Sequence, residues 1–324
     1  MHAATPETPA ATITATPVPD EKTPAAPHGP MPDAPTRLHQ DAARLVREVP
    51  PLRPLLDAFV PLLEARATLR DAAPGWVGPL PAPAPDASVK GIPLLSDIGF
   101  QDVTAHLPAA LEQLLPVMEE AFPALAPELA ALRRALAVGD INASALSALA
   151  EGCTITLPPD VTAEVVSFVA SEAVRPFIER QARDLAPVLR AMPWARPVCP
   201  TCGGAPNVSR LQRERDDSEF ITGHGGVRFL HCAACATEWR YKRVSCPGCG
   251  NEEPERLGLL ATRERPFERA DTCDDCKRYI LCLDATECIN LPDATIAALA
   301  MLPLELLARQ AGYAPLAPHP WSAG

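Results

Sequence analysis

Eight of the eleven cysteines in this 324-residue chain fall into four CxxC pairs. They are Cys199/Cys202, Cys232/Cys235, Cys246/Cys249 and Cys273/Cys276, with 29, 10 and 23 residues between successive pairs. Two residues between thiolates form a tight knuckle that brings both sulfurs to one cation at about 2.3 Å, and two knuckles complete a tetrahedron. Four pairs therefore predict two metal ions. Sequential pairing joins the first two pairs and the last two; an interleaved arrangement is the alternative. The sequential halves share a plan: an opening knuckle "CPTCG" or "CPGCG", with Pro bracing the turn and Gly free to take positive φ, and a closing knuckle "CAACA" or "CDDCK" without either. Four thiolates suit zinc or a single iron equally, and they leave no open position for a catalytic water. The ions then either staple a domain that lacks a sufficient core or cycle electrons.

This plan resembles tandem rubredoxin-like or zinc-ribbon units, and short β-like pieces ("VRFLHC", "TEWRYKRVSC", "KRYILCL") surround the knuckles. The elements that must carry them read in order. Residues 1–36 are Pro/Ala/Thr-rich with few large apolar side chains, which predicts a disordered tail. Residues 37–192 show helical periodicity and read as a helical bundle, with Leu55, Phe59, Leu62 and Leu63 on one stripe. Within it, Asp160 is a candidate N-cap, and Pro176 should kink or split the last long helix. The metal units span 193–244 and 245–290, a C-terminal helix covers 291–314 and ends near Gly312, and 315–324 form a tail. The expected class is α+β: an N-terminal helical bundle, two small rubredoxin-like or zinc-ribbon β units and a closing helix.

Charge narrows the partners. The net −11 divides into −9 over 1–195, +1 over 196–282 and −3 over the remainder. That disfavours nucleic acid, since phosphate binding requires a segregated basic surface. The compact basic run "RYKR" at 240–243 reads as alternating strand positions facing solvent. The first thirty residues show neither the basic nor the apolar region of a secretory signal, and no run of ~18 apolar residues reads as a membrane span. A cytoplasmic protein without membrane insertion is expected, and in that reducing compartment CxxC pairs indicate metal rather than disulfides. No Ser/His/Asp set, phosphate loop or HExxH motif marks a catalytic site, so the expected role is not enzymatic.

The stretches "CPTCGGAP", "GVRFLHCAACATEWRYKRVSCPGCG" and "RADTCDDCKRYI" together resemble the FdhE family of formate dehydrogenase accessory proteins. The resemblance is specific over 199–280 and extends more weakly over 37–315. It implies a cytoplasmic assembly factor that binds the formate dehydrogenase catalytic subunit before export and carries two metal ions, iron or zinc. It assigns Cys199, Cys202, Cys232, Cys235, Cys246, Cys249, Cys273 and Cys276 as ligands. Arg228, Glu238, Trp239, Arg243, Thr272 and Tyr279 fall on recurrent family positions and become candidate partner contacts. Two departures stand out: Lys277 where a glycine is common, and "PDATI" in place of an acidic pair before the last helix. Each position also has a plainer reading. Trp239 packs between the metal units, and Glu238 pairs with Arg228 or Arg243. His224 sits in a hairpin tip, Cys153 is a buried small hydrophobe, and Cys282 and Cys288 have the wrong spacing for a knuckle. The Glu238–Tyr241 segment reads as the seam between the two units.

Overall fold

The computed structural model describes residues 34–150, 152–157, 160–213, 226–288 and 291–322. His224 and residues 1–33 of the expected tail lie outside the described residues. The first helix, α1 (Ala34–Glu48), begins inside the segment expected to be tail. Its Leu38, Ala42 and Leu45 are buried against the next helix, and that packing stabilises the first turns.

The helical half continues with α2 (Arg53–Ala72), the short α3 (Ala87–Lys90), α4 (Leu107–Ala121), α5 (Ala126–Val138), α6 (Ala143–Ala150), α7 (Ala163–Asp184) and α8 (Ala186–Ala191). Leu107, Leu114 and Met118 of α4 interlock with Leu129 and Leu132 of α5 and with Val166, Val169 and Ala173 of α7 in one apolar core. Two expectations for α7 are corrected. Its N-cap is Thr162 rather than Asp160: the Thr162 side chain accepts from Val165 N, while its own hydroxyl donates to Glu128 at 2.7 Å. Pro176 also lies inside a continuous 22-residue helix. Burial on both sides of the proline, at Ala173, Val174 and Phe177, outweighs the missing backbone donor.

After α8 come β1 (Pro206–Gln212), β2 (Val227–Cys232), β3 (Glu238–Tyr241), β4 (Leu257–Ala261), β5 (Glu268–Cys273) and β6 (Arg278–Asp284). The chain then forms α9 (Ala294–Ala300), α10 (Leu302–Gln310) and β7 (Ala314–Pro315). The single closing helix expected from the sequence is two helices. Asp293 caps α9, and Pro303 in the first turn of α10 cannot continue the preceding helix, so the axis breaks at Met301.

Each half of the sheet repeats one plan: knuckle, two antiparallel strands, knuckle, third strand. The halves are not separate units, however. Among the described residues seven strands form one sheet in the order β3-β2-β1-β6-β5-β4, with β7 pairing the stretch of β6 that β1 does not reach. The join is the parallel pair β1–β6, Val208 opposite Leu281 and Ser209 opposite Cys282. The seam expected at Glu238–Tyr241 is therefore corrected: that segment is an edge strand at one end of the sheet. One sheet face, with Val208, Ala270, Leu281 and Leu283, packs on Ala298, Met301 and Leu304 of α9 and α10. Ile296 and Leu299 of α9 in turn pack with α1 and α2, which ties the C-terminal helices to the bundle.

Candidate metal centre

The structure brings the pairs together sequentially. The sulfurs of Cys199, Cys202, Cys232 and Cys235 lie within 4.8 Å of one another, as do those of Cys246, Cys249, Cys273 and Cys276. Measured edges are 3.6 Å for Cys199–Cys235 and Cys202–Cys232 and 3.5 Å for Cys202–Cys235. In the second group Cys246–Cys276 and Cys249–Cys273 are both 3.6 Å apart. A disulfide would require about 2.05 Å, whereas sulfurs 2.3 Å from a shared tetrahedral centre are about 3.8 Å apart. Donor type, number and spacing fit a tetrahedral thiolate-bound ion in each group, and zinc and iron satisfy that set alike.

The knuckles are built by the same backbone device. Cys199 N donates to Gly204 O, and Gly203 N to Cys199 O, both at 2.9 Å; Cys246 N donates to Asn251 O and Gly250 N to Cys246 O, both at 2.8 Å. The residue after the second cysteine is left-handed in all four: Gly203, Ala236, Gly250 and Lys277. This accounts for the departure at Lys277. A side chain there is strained, and compensating contacts hold it: Lys277 Nζ lies 2.6 Å from Asp274 Oδ1 and 5.3 Å from the Tyr313 ring centre, while Tyr313 Oη donates to Asp274 at 2.9 Å.

The two sites differ in shielding. Cys199, Cys232 and Cys235 are buried in a cluster with Leu230, Trp239, Tyr241 and Ala182 of α7. The helical half also straps the first knuckle, with Leu94 N donating to Pro200 O and Leu95 N to Thr201 O. The second site leaves Cys249 exposed. Crowded thiols cannot all ionise without a cation. Burial resists charge on Cys199, but hydrogen bonds from Cys202, Cys232 and Cys235 overcome it and pull that thiol down. Hydrogen bonds with Cys199 first and Cys202 second push Cys232 and Cys235 up. A divalent ion removes that conflict.

The other predicted positions divide by exposure. Arg228 is buried and donates to Ser245 O at 3.0 Å, to Arg243 O at 3.4 Å and to Asp271 Oδ2 at 3.1 Å. It braces the first half of the sheet against the second, an internal role that leaves little of it for a partner. Trp239 packs between the first cysteine group and α7, not between the two metal groups, and its Nε1 donates to Arg196 O at 3.0 Å. Thr272 and Tyr279 are buried as well, and burial pushes the Tyr279 phenol up to about 12. Glu238 and Arg243 are exposed. Glu238 pairs with Arg210 on β1, a correction to the expected Arg228 or Arg243. Cys153 is exposed rather than a buried hydrophobe, Cys288 is exposed, and Cys282 is buried with its thiol pushed up by burial to about 11.

Sequence reasoning missed the groups that orient the first site. Arg175 of α7 donates to Ala233 O inside the second knuckle. Thr237 Oγ1 lies 3.2 Å from Cys235 Sγ and 2.9 Å from Thr201 Oγ1. The two threonines were a legible signal, a hydroxyl within one knuckle and one just after the other; Arg175 lies in a different element and gave none.

Gly204 is tightly fitted: a Cβ there would sit 3.1 Å from Cys232 Sγ and 3.3 Å from Cys202 Sγ. Gly204→Ala should weaken metal binding at the first site about tenfold, the scale of a crowded core position. The second site should keep its affinity, which competitive chelator titration would resolve as one weakened and one unchanged step.

This is a helical bundle carrying a duplicated, sheet-joined pair of four-cysteine knuckle sites. A family model described as "FdhE, central domain" matches residues 198–243, the first of those halves. A protein named FdhE homolog from Aquifex aeolicus (strain VF5) is 33% identical over 121 residues, covering 37% of this chain and 40% of its own. Protein FdhE from Escherichia coli (strain K12 / DH10B) is 34% identical over 120 residues, covering 37% of this chain and 35% of its own. The crystal structure of the FdhE protein from Pseudomonas aeruginosa shares the fold, with a TM-score of 0.57, 23% identity, and coverage of 90% of this chain and 96% of that one. Over the first cysteine half the chain is similar to the FdhE central domain, and its fold is that of the FdhE crystal structure. Its matches to these two named relatives span about two fifths of their length or less. No helix among the described residues is long and apolar enough to cross a membrane.

Proposed function

We propose that this chain is a non-enzymatic accessory protein of formate dehydrogenase maturation. It acts in the cytoplasm, binds the catalytic subunit before export, and holds two metal ions, one per four-cysteine group. The observation that carries the reading is the pair of closed four-thiolate groups within an FdhE-family fold. Four protein ligands fill a tetrahedral ion and leave no position for a substrate, so the metal orders a binding surface rather than performing hydrolysis.

In a pull-down, the full chain should retain the catalytic subunit, and the double variant Cys246→Ala/Cys249→Ala should lose it. Retention by a folded variant without metal at the second site would show that binding does not need that ion.

A second reading, rubredoxin-like iron redox acting on a client, is favoured by one feature: the exposed Cys249 brings the second site to the surface, where electrons could pass. Anaerobically purified protein would then show the visible charge-transfer bands of a ferric four-thiolate centre after oxidation. A colourless protein with two equivalents of zinc would count against it.

A further inference from the structure

The sheet ends in two edge strands, and they are protected differently. Free strand edges invite pairing with another chain, and folded proteins blunt them with charge, proline or bulges. The edge strand β3 carries Glu238 and Arg240. The edge strand β4, "LGLLA", contains no charge and no proline, and it is the most exposed of the six longer strands. Among the described residues no strand pairs its outer side.

Leu259 of β4 is 61% exposed and Val244 57% exposed, and both line a cleft of about 200 Å³ beside the second cysteine group. The cleft is lined also by four arginines, Arg228, Arg243, Arg269 and Arg278, against a single carboxylate, Asp271. That carboxylate is shared by Arg228 at 3.1 Å and Arg269 at 2.7 Å. Arg243 and Arg278 have no carboxylate partner among the described residues. Arg278 reaches only backbone, with Nη1 3.3 Å from Pro315 O. In a chain of net charge −11 this is a local excess of positive charge next to exposed leucine and valine.

We propose that β4 and this cleft form a docking surface for an extended, acidic and apolar segment of the client protein, which adds to the sheet as a further strand. Strand addition supplies backbone hydrogen bonds along the open edge, and alternating side chains supply selectivity. One face of the added strand places apolar groups on Leu259 and Val244, and a carboxylate from the same face reaches Arg243 and Arg278. Complementary charge orients the encounter, since the rest of the acidic surface repels the same segment. The proposal rests on the reading that the chain binds a client.

The probe is the purified formate dehydrogenase catalytic subunit, titrated against the full chain and against Leu259→Asp, Arg243→Glu and a control, Val138→Asp, on an exposed site of α5. Metal content and melting temperature establish that each variant folds. Leu259→Asp and Arg243→Glu should each bind at least about tenfold more weakly, Val138→Asp should bind as the unaltered chain does, and amides 257–261 should gain protection from hydrogen exchange in the complex. Unchanged binding by both variants would overturn the surface while leaving the client reading intact. No binding by the unaltered chain would overturn both. A dimer of the unaltered chain that Leu259→Asp converts to monomer, seen by sedimentation, would show that a second copy occupies the edge instead and would also overturn the proposal.

Discussion

Replacing Cys199 and Cys232 together with serine should unfold the first cysteine half while leaving the helical bundle folded. The sulfurs are themselves the centre of the small cluster that contains Leu230, Trp239 and Tyr241, so little apolar core remains when the metal is lost. A structural four-thiolate ion contributes on the order of 10 kcal/mol in small metal-dependent domains, more than the whole stability of many domains. The bundle has its own core, from Leu107 and Leu114 through Val166 and Ala173, and contributes nothing to the ligand set. Circular dichroism should therefore show most of the helical signal retained, while Trp239 fluorescence shifts to that of a solvated indole. The equivalent change at Cys246 and Cys249 should be milder, since the Cys249 end of that group is already exposed. Equal loss of helix and sheet in both variants would mean that the two halves fold as one unit.

The second large effect lies away from the metal. Arg66 of α2 is buried, with Nη1 3.0 Å from Glu172 Oε2 and Nη2 3.9 Å from Glu179 Oε1, both on α7. Arg66→Met should cost about 3–5 kcal/mol, because removing one partner leaves buried carboxylates undercompensated. The pH dependence carries a definite sign. Burial pushes the Glu179 carboxyl up, but Arg66, Arg175 and Arg70 outweigh it and hold the group below its ordinary range. A depressed carboxylate adds stability above the unfolded-state value of about 4.3, and that stability is lost as pH falls through the folded value. The variant gives up part of this contribution. The difference in denaturation midpoint between the two proteins should narrow as pH drops below about 4. A difference independent of pH would assign the loss to packing of the arginine stem rather than to charge.

What could be read in advance follows from how local each feature is. The cysteine knuckles are local, so their spacing carried the sequential grouping and the repeated plan. The left-handed residue after each knuckle was visible at Gly203 and Gly250 but not at Ala236 and Lys277; Lys277 is held by Asp274 of its own knuckle together with Tyr313, which the fold brings from beyond β6. Pairing across the molecule was not legible. The β1–β6 join depends on strands about seventy residues apart, and a short basic-aromatic strand such as Glu238–Tyr241 reads the same at a seam as at an edge. Pro176 misled because its local penalty is real, but the burial that offsets it comes from other helices. Arg228 became a candidate partner contact through the family resemblance, and nothing local in the sequence shows that the tertiary arrangement places Ser245 and Asp271 around it.

The central claim is that this chain holds two four-thiolate metal ions, grouped in sequence order. Metal analysis of natively and anaerobically purified protein, with X-ray absorption at the edge of the metal found, tests it most directly. The expected result is two equivalents per chain, each surrounded by four sulfurs at about 2.3 Å. One equivalent per chain, or a shell containing nitrogen or oxygen, would contradict it.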